Sequence, residues 1–148
     1  MSWIVYSLLA AMFWGMTYSM SGQLVKHFSS PFIMFSASLH VAVFSLLLGI
    51  FGKGFSADFQ IARRMGTETF YLVASGIIIV IGQTMILTSI RAKNATMAAM
   101  IEITYPLFTA LFIWLFFREA QVTWGTLLGG LLIIAGAGCI YFFDKAAS

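Results

Sequence analysis

Glu102 stands well inside the apolar run of residues 97–117, and a carboxylate at the centre of a membrane helix costs on the order of 2.5 to 3.5 kcal/mol on insertion scales. Residues kept at such a cost are usually functional. Pro106 follows four positions later; it has no N–H, so the carbonyl of Glu102 loses its helical donor. Carboxylate and released carbonyl together form a local acceptor site, suited to a proton or a cationic group. Tyr105 and Thr109, at i+3 and i+7, share that helix face. Alternatively Glu102, some five residues from the start of its run, reaches the headgroup region, or it is a neutral acid bonded to a neighbouring helix.

Other polar groups lie in the remaining apolar runs. Ser7, Ala11, Trp14, Tyr18 and Ser21 recur at spacings of three and four, which makes a small-polar and aromatic stripe along one helix. Such a stripe serves packing, or it offers the ring faces of Trp14 and Tyr18, together with Tyr105, to a cation. His40 lies in the second run with Ser36 one turn before it; it is a hydrogen-bonded structural residue or a proton carrier. Gln83, Thr84 and Thr88 give the third run side chains that need partners in protein or cavity water. Cys139 is the one cysteine and sits among apolar residues, so neither a disulfide framework nor a zinc spacing exists. No nucleophile with base and orienter, phosphate loop or metal cluster is legible. The sequence implies no enzyme, no metal and no cofactor.

Elements that could position these groups follow from composition. The 148 residues are 61% hydrophobic and 9% charged, against roughly a quarter charged in soluble domains. A helix needs about 20 apolar residues to cross the hydrocarbon core. Five runs qualify, at about 3–25, 31–51, 70–90, 97–117 and 123–143, giving an all-α membrane protein built as a single module over 1–148. The first run has no basic segment before it and is longer than the apolar part of a cleaved signal, so it is read as a retained helix.

Residues 52–69 are long enough for an element of their own. Ser56 can cap it, Asp58 suits its first turn, Arg63 and Arg64 its last, and Gly66 its end. With Phe55, Phe59 and Ile61 as apolar contacts, the segment predicts a short interfacial helix at about 56–65. In the fifth run Gly125, Gly129, Gly130, Gly136 and Gly138 favour close helix packing, either within the chain or between copies.

Five spans put the termini on opposite faces. One face then receives Lys53, Arg63, Arg64 and Arg118, the other Lys26, Arg91, Lys93 and Lys145. These cations lie between apolar runs, as juxtamembrane residues do, and form no nucleic-acid footprint. Orientation follows the basic asymmetry between faces; four against four gives none, so dual topology is expected unless the N-terminal amine or the Arg63–Arg64 pair tips the balance.

Several motifs resemble the EamA-type module of the drug/metabolite transporter superfamily. Ala11-Met12-Phe13-Trp14-Gly15 resembles its Ala-x-x-Trp-Gly, and Pro31 stands where a Ser-Pro commonly opens the second helix. Tyr105-Pro106-Leu107-Phe108 resembles its Pro-centred segment, Arg118-Glu119 its loop Gly-Glu, and residues 129–136 its Gly-x-x-Leu-Ile-x-x-Gly. Most relatives fuse two such modules in inverted orientation, so the resemblance implies an antiparallel (inverted) homodimer, with Gly125, Gly129 and Gly136 at the seam as in the small four-helix multidrug exporters. Two positions depart from relatives. Ser38 and His40 stand where an Arg is frequent in the second helix, and the first helix lacks the membrane Glu of the small exporters.

The implied function is a secondary transporter, by expectation an exporter, of a small metabolite or organic cation. It would work by alternating access across a dimer in a prokaryotic cytoplasmic (inner) membrane, with bilayer, substrate and second copy as its partners. The expected site comprises Glu102, Tyr105, Trp14, Tyr18, His40, Gln83 and Thr109. The other reading is a non-transporting membrane subunit, or half of a heterodimer whose partner supplies the active residues.

Overall fold

Backbone polar groups find no water in a bilayer, and a helix satisfies them within one segment. The computed structural model describes residues 3–52, 55–119 and 122–146, and every element in it is helical. These are α1 (Trp3–Leu24), α2 (Ser30–Gly52), α3 (Phe55–Ala62), α4 (Thr67–Ala92), α5 (Ala95–Glu102), α6 (Tyr105–Phe112), a π-helical turn (Ile113–Phe117) and α7 (Trp124–Ala146). Lys53, Lys145 and both ends of the chain, which enter the charge and topology expectations, lie outside the described residues or side chains.

Among the described residues, four helical stretches are long and apolar enough to span a membrane: Ser30–Phe51, Thr67–Ala92, Ala95–Phe117 and Trp124–Phe143. They correspond to the second to fifth expected runs. The first run is a continuous helix of 22 residues and is not one of the four, since Trp14, Thr17, Tyr18, Ser19 and Ser21 dilute its apolar content. Little of the surface is withdrawn within the chain. Among the described residues the buried hydrophobic ones are Ile86, Leu87, Ile90 and Ala98, whereas Leu48 and Leu132 are each 74% exposed. Water would not tolerate such faces, and lipid does.

The chain divides into two compact units, Met1–Met20 with Lys93–Ser148, and Ser21–Ala92. In the second, α2 packs on α4 and α3 touches both. Pro31 occupies the first turn of α2, where its fixed φ suits a helix start. The Thr84 hydroxyl donates to the carbonyl of Val80 at 2.8 Å and lies 3.5 Å from the sulfur of Met34. The Arg91 guanidinium donates to the Phe28 carbonyl at 2.9 Å and ties the end of α4 to the turn before α2.

A short helix is present in this segment, with bounds that differ from the expected ones. It begins at Phe55, so Ser56 lies within it rather than capping it, and it ends at Ala62, before Arg63 and Arg64. The chain turns at Met65, with φ of 54°, and Gly66 is not the left-handed residue. The stop fell on the methionine because the helical turn already closes there, with the Met65 N–H donating to the Ala62 carbonyl at 3.2 Å.

In the first unit α5 packs on α7. Asn94 caps α5, its side-chain oxygen accepting from the Met97 N–H at 2.9 Å, which satisfies one of the free donors of the helix start. The fourth expected helix, drawn unbroken over 97–117, is interrupted at Ile103 and Thr104. Pro106 enters the first turn of α6; it has no N–H for the Glu102 carbonyl four residues back, and its ring crowds that carbonyl. α6 runs into the π turn, which closes on Arg118 at φ of 58°, the Arg118 N–H donating to the Trp114 carbonyl. The guanidinium of Arg118 sits 5.9 Å from the centre of the Trp114 ring, a cation–π pairing that favours this backbone. α7 opens with a reciprocal cap: the Thr126 N–H donates to the Thr123 hydroxyl at 3.2 Å and the Thr123 N–H to the Thr126 hydroxyl at 3.4 Å.

Candidate functional site at the α5–α6 break

Glu102 is the last residue of α5, so its carboxylate lies where the spanning stretch Ala95–Phe117 breaks. The Tyr18 hydroxyl of α1 donates to its Oε2 oxygen, and both side chains are half-buried. Stabilisation of an anion by a phenol is stronger than a neutral hydrogen bond. One turn back on α1, the Trp14 ring stacks on that of Tyr18, centroids 6.2 Å apart and planes at 30°. Trp14 remains 54% exposed, leaving indole surface for a ligand. Tyr105 opens α6, three residues beyond Glu102 in the same unit. A carboxylate, a phenol bonded to it and further aromatic rings thus gather in one unit.

The Thr109 hydroxyl donates to the Tyr105 carbonyl at 3.1 Å and is spent on its own helix. His40 and Gln83 belong to the other compact unit. Nδ1 of His40 lies 2.7 Å from the Ser36 carbonyl; a carbonyl only accepts, so Nδ1 carries the proton and the ring is held by the helix turn before it. Gln83 is half-buried in α4.

Among the glycines of α7, Gly130 makes the close approach within the chain. It is buried, and a Cβ there would come within 2.6 Å of the Leu107 side chain of α6. At Gly129 and Gly136 a Cβ would meet nothing within 4 Å, and at Gly125 only the Thr123 hydroxyl at 3.8 Å. Sequence reading did not anticipate the Tyr18–Glu102 bond or the Gly130–Leu107 contact. The cap at Asn94 did have a signal, an Asn immediately before a helical run.

No curated protein matches the chain, and no solved structure does. The model of the EamA-like transporter family matches residues 1–142, nearly the whole sequence, and with it comes membrane transport in place of enzymatic catalysis. The chain belongs to the EamA-like transporter family, within the drug/metabolite transporter superfamily.

Proposed function

We propose that this chain is a secondary exporter of a small organic cation or cationic metabolite, acting as an antiparallel homodimer with Glu102 as the group that exchanges cargo for a proton. The observation that carries the reading is the Tyr18–Glu102 hydrogen bond at the broken span, beside the stacked Trp14 ring. Discontinuous membrane helices commonly form substrate and ion sites near the midplane. A cation arriving at Glu102 displaces its proton, and a proton arriving from the other side displaces the cation. Each exchange keeps the charge at the carboxylate balanced, while Trp14, Tyr18 and Tyr105 hold the cargo by their ring faces. Thr109 supports the Tyr105 end of the site.

In this reading α1 is the fifth span, so a single module needs an inverted second copy to complete an alternating-access unit. The open Gly125, Gly129 and Gly136 positions on α7 supply the seam, and the balanced basic residues let copies insert both ways into a prokaryotic cytoplasmic membrane. The test is flux of ethidium, as a probe cation, in vesicles containing the purified chain alone under an imposed pH gradient. Proton-dependent flux without any partner supports the proposal. A folded, dimeric protein with no flux for any of a panel of cations contradicts it and favours a subunit whose partner supplies the site.

A further inference from the structure

Helix α3 joins the ends of two spanning helices, α2 and α4, and a segment of eight residues between consecutive spans is confined to one membrane face. Its two sides differ. Phe55 faces back onto α2, where its ring fills the space beside Gly49, and meets Phe59 edge to face with centroids 6.2 Å apart. Ser56, Gln60 and Arg63 follow at i, i+4 and i+7 and share the neighbouring side, since the helical turn continues to Arg63 through its N–H bond to the Phe59 carbonyl at 3.0 Å.

With Phe59 these residues line an open surface depression of about 360 Å³, and all four side chains are exposed. A guanidinium, an amide and a hydroxyl on an aromatic floor are donors matched to phosphate oxygens. Asp58, the carboxylate of α3, falls on the opposite side of the helix at 100° per residue. Arg64, the next residue in the chain, carries a second cation.

We propose that this depression binds the phosphate of an anionic phospholipid headgroup, with Arg63 as the principal donor, Gln60 and Ser56 completing the set, and Phe59 reaching the glycerol and upper acyl region. The shared chemistry is that of a phosphate anion; lipid is the source because the depression lies at the end of two spans, where headgroups are concentrated. The site is independent of the transport reading, since it lies wholly on the α2–α4 connection.

Native mass spectrometry of the full chain in detergent, titrated with phosphatidylglycerol or phosphatidylcholine, tests it. Wild type should prefer the anionic lipid. Arg63→Gln should lower that preference about fivefold, the worth of one basic residue near an anionic surface, and Gln60→Ala should lower it to a smaller extent. Arg64→Gln, which removes the same charge one residue further on, should retain most of it. Equal losses from both arginine variants would mean unspecific charge attraction, and wild-type preference in Arg63→Gln would remove the depression from lipid binding; either overturns the proposal. Displacement of the lipid by inorganic phosphate at similar concentration would reassign the site to free phosphate and overturn it as well. Circular dichroism and elution volume identify variants that fail to fold, and Arg63→Lys, which keeps the charge but loses the fork, should then show an intermediate preference.

Discussion

In the proposed mechanism Tyr18 governs how readily Glu102 exchanges cargo for a proton, because a hydrogen bond to an ionised group contributes roughly 1.5–3 kcal/mol. Tyr18→Phe removes the donor and keeps the ring that stacks on Trp14. We expect it to leave folding and dimerisation unchanged and to lower proton-driven cation flux by at least about tenfold, measured in vesicles at matched protein content. Flux equal to wild type would make the bond incidental. At this scale the sequence was informative about identity and silent about partners. A lone carboxylate in an apolar run and an aromatic stripe at helical spacing are visible locally. The bond between Tyr18 and Glu102 joins positions 84 residues apart and depends on how α1 and α5 pack, which no local pattern encodes. His40 read as one of two things, and its bond to the Ser36 carbonyl accords with the structural one.

Helices were legible as elements because apolar runs of spanning length have few alternatives, but their interruptions were not. Pro106 marked the neighbourhood of a break, yet the break lies at Ile103 and Thr104, and the π turn at Ile113–Phe117 has no sequence signature here. Left-handed residues followed local closure: Met65 and Arg118 take that conformation, although Gly66 stood next to the first. The glycines of α7 separate into two sets that mutation distinguishes. Gly130→Leu must displace the Leu107 side chain or α7 itself and is expected to destabilise the chain by about 1–3 kcal/mol, as overpacking does, seen as a lower thermal midpoint in detergent. Gly129→Leu has open space within the chain, so its midpoint should hold while the dimer disperses by light scattering, because the bulky side chain separates the two helices. Intact dimers in Gly129→Leu would place the seam elsewhere.

Over the whole molecule, the balance of basic residues does not depend on whether α1 crosses the membrane. The first basic residue is Lys26, after α1, so all eight are distributed by the four apolar spans alone. Only the side of the N-terminus depends on α1. Cysteine tags at Ser2 and Ser148 should therefore label from opposite faces of each molecule if α1 spans, and from the same face if it does not. In a balanced chain both orientations should be found, and adding two lysines beside Lys26 or beside Arg118 should drive the population to opposite single orientations. A wild-type population already uniform, and indifferent to those additions, would end the dual-topology account. Composition made the membrane class legible; orientation was not, since a difference of zero carries no direction.

The account rests on Glu102 as the exchanging group, and one measurement addresses that most directly: ethidium flux driven by a pH gradient in vesicles containing Glu102→Gln, with folding and dimerisation matched to wild type. A glutamine retains the size and an acceptor for the Tyr18 hydroxyl but can neither take up a proton nor neutralise a cation. The account predicts loss of proton-driven flux, weakened cation binding and no remaining dependence of that binding on pH. Wild-type flux with wild-type pH dependence would contradict it and reduce Glu102 to a structural partner of Tyr18.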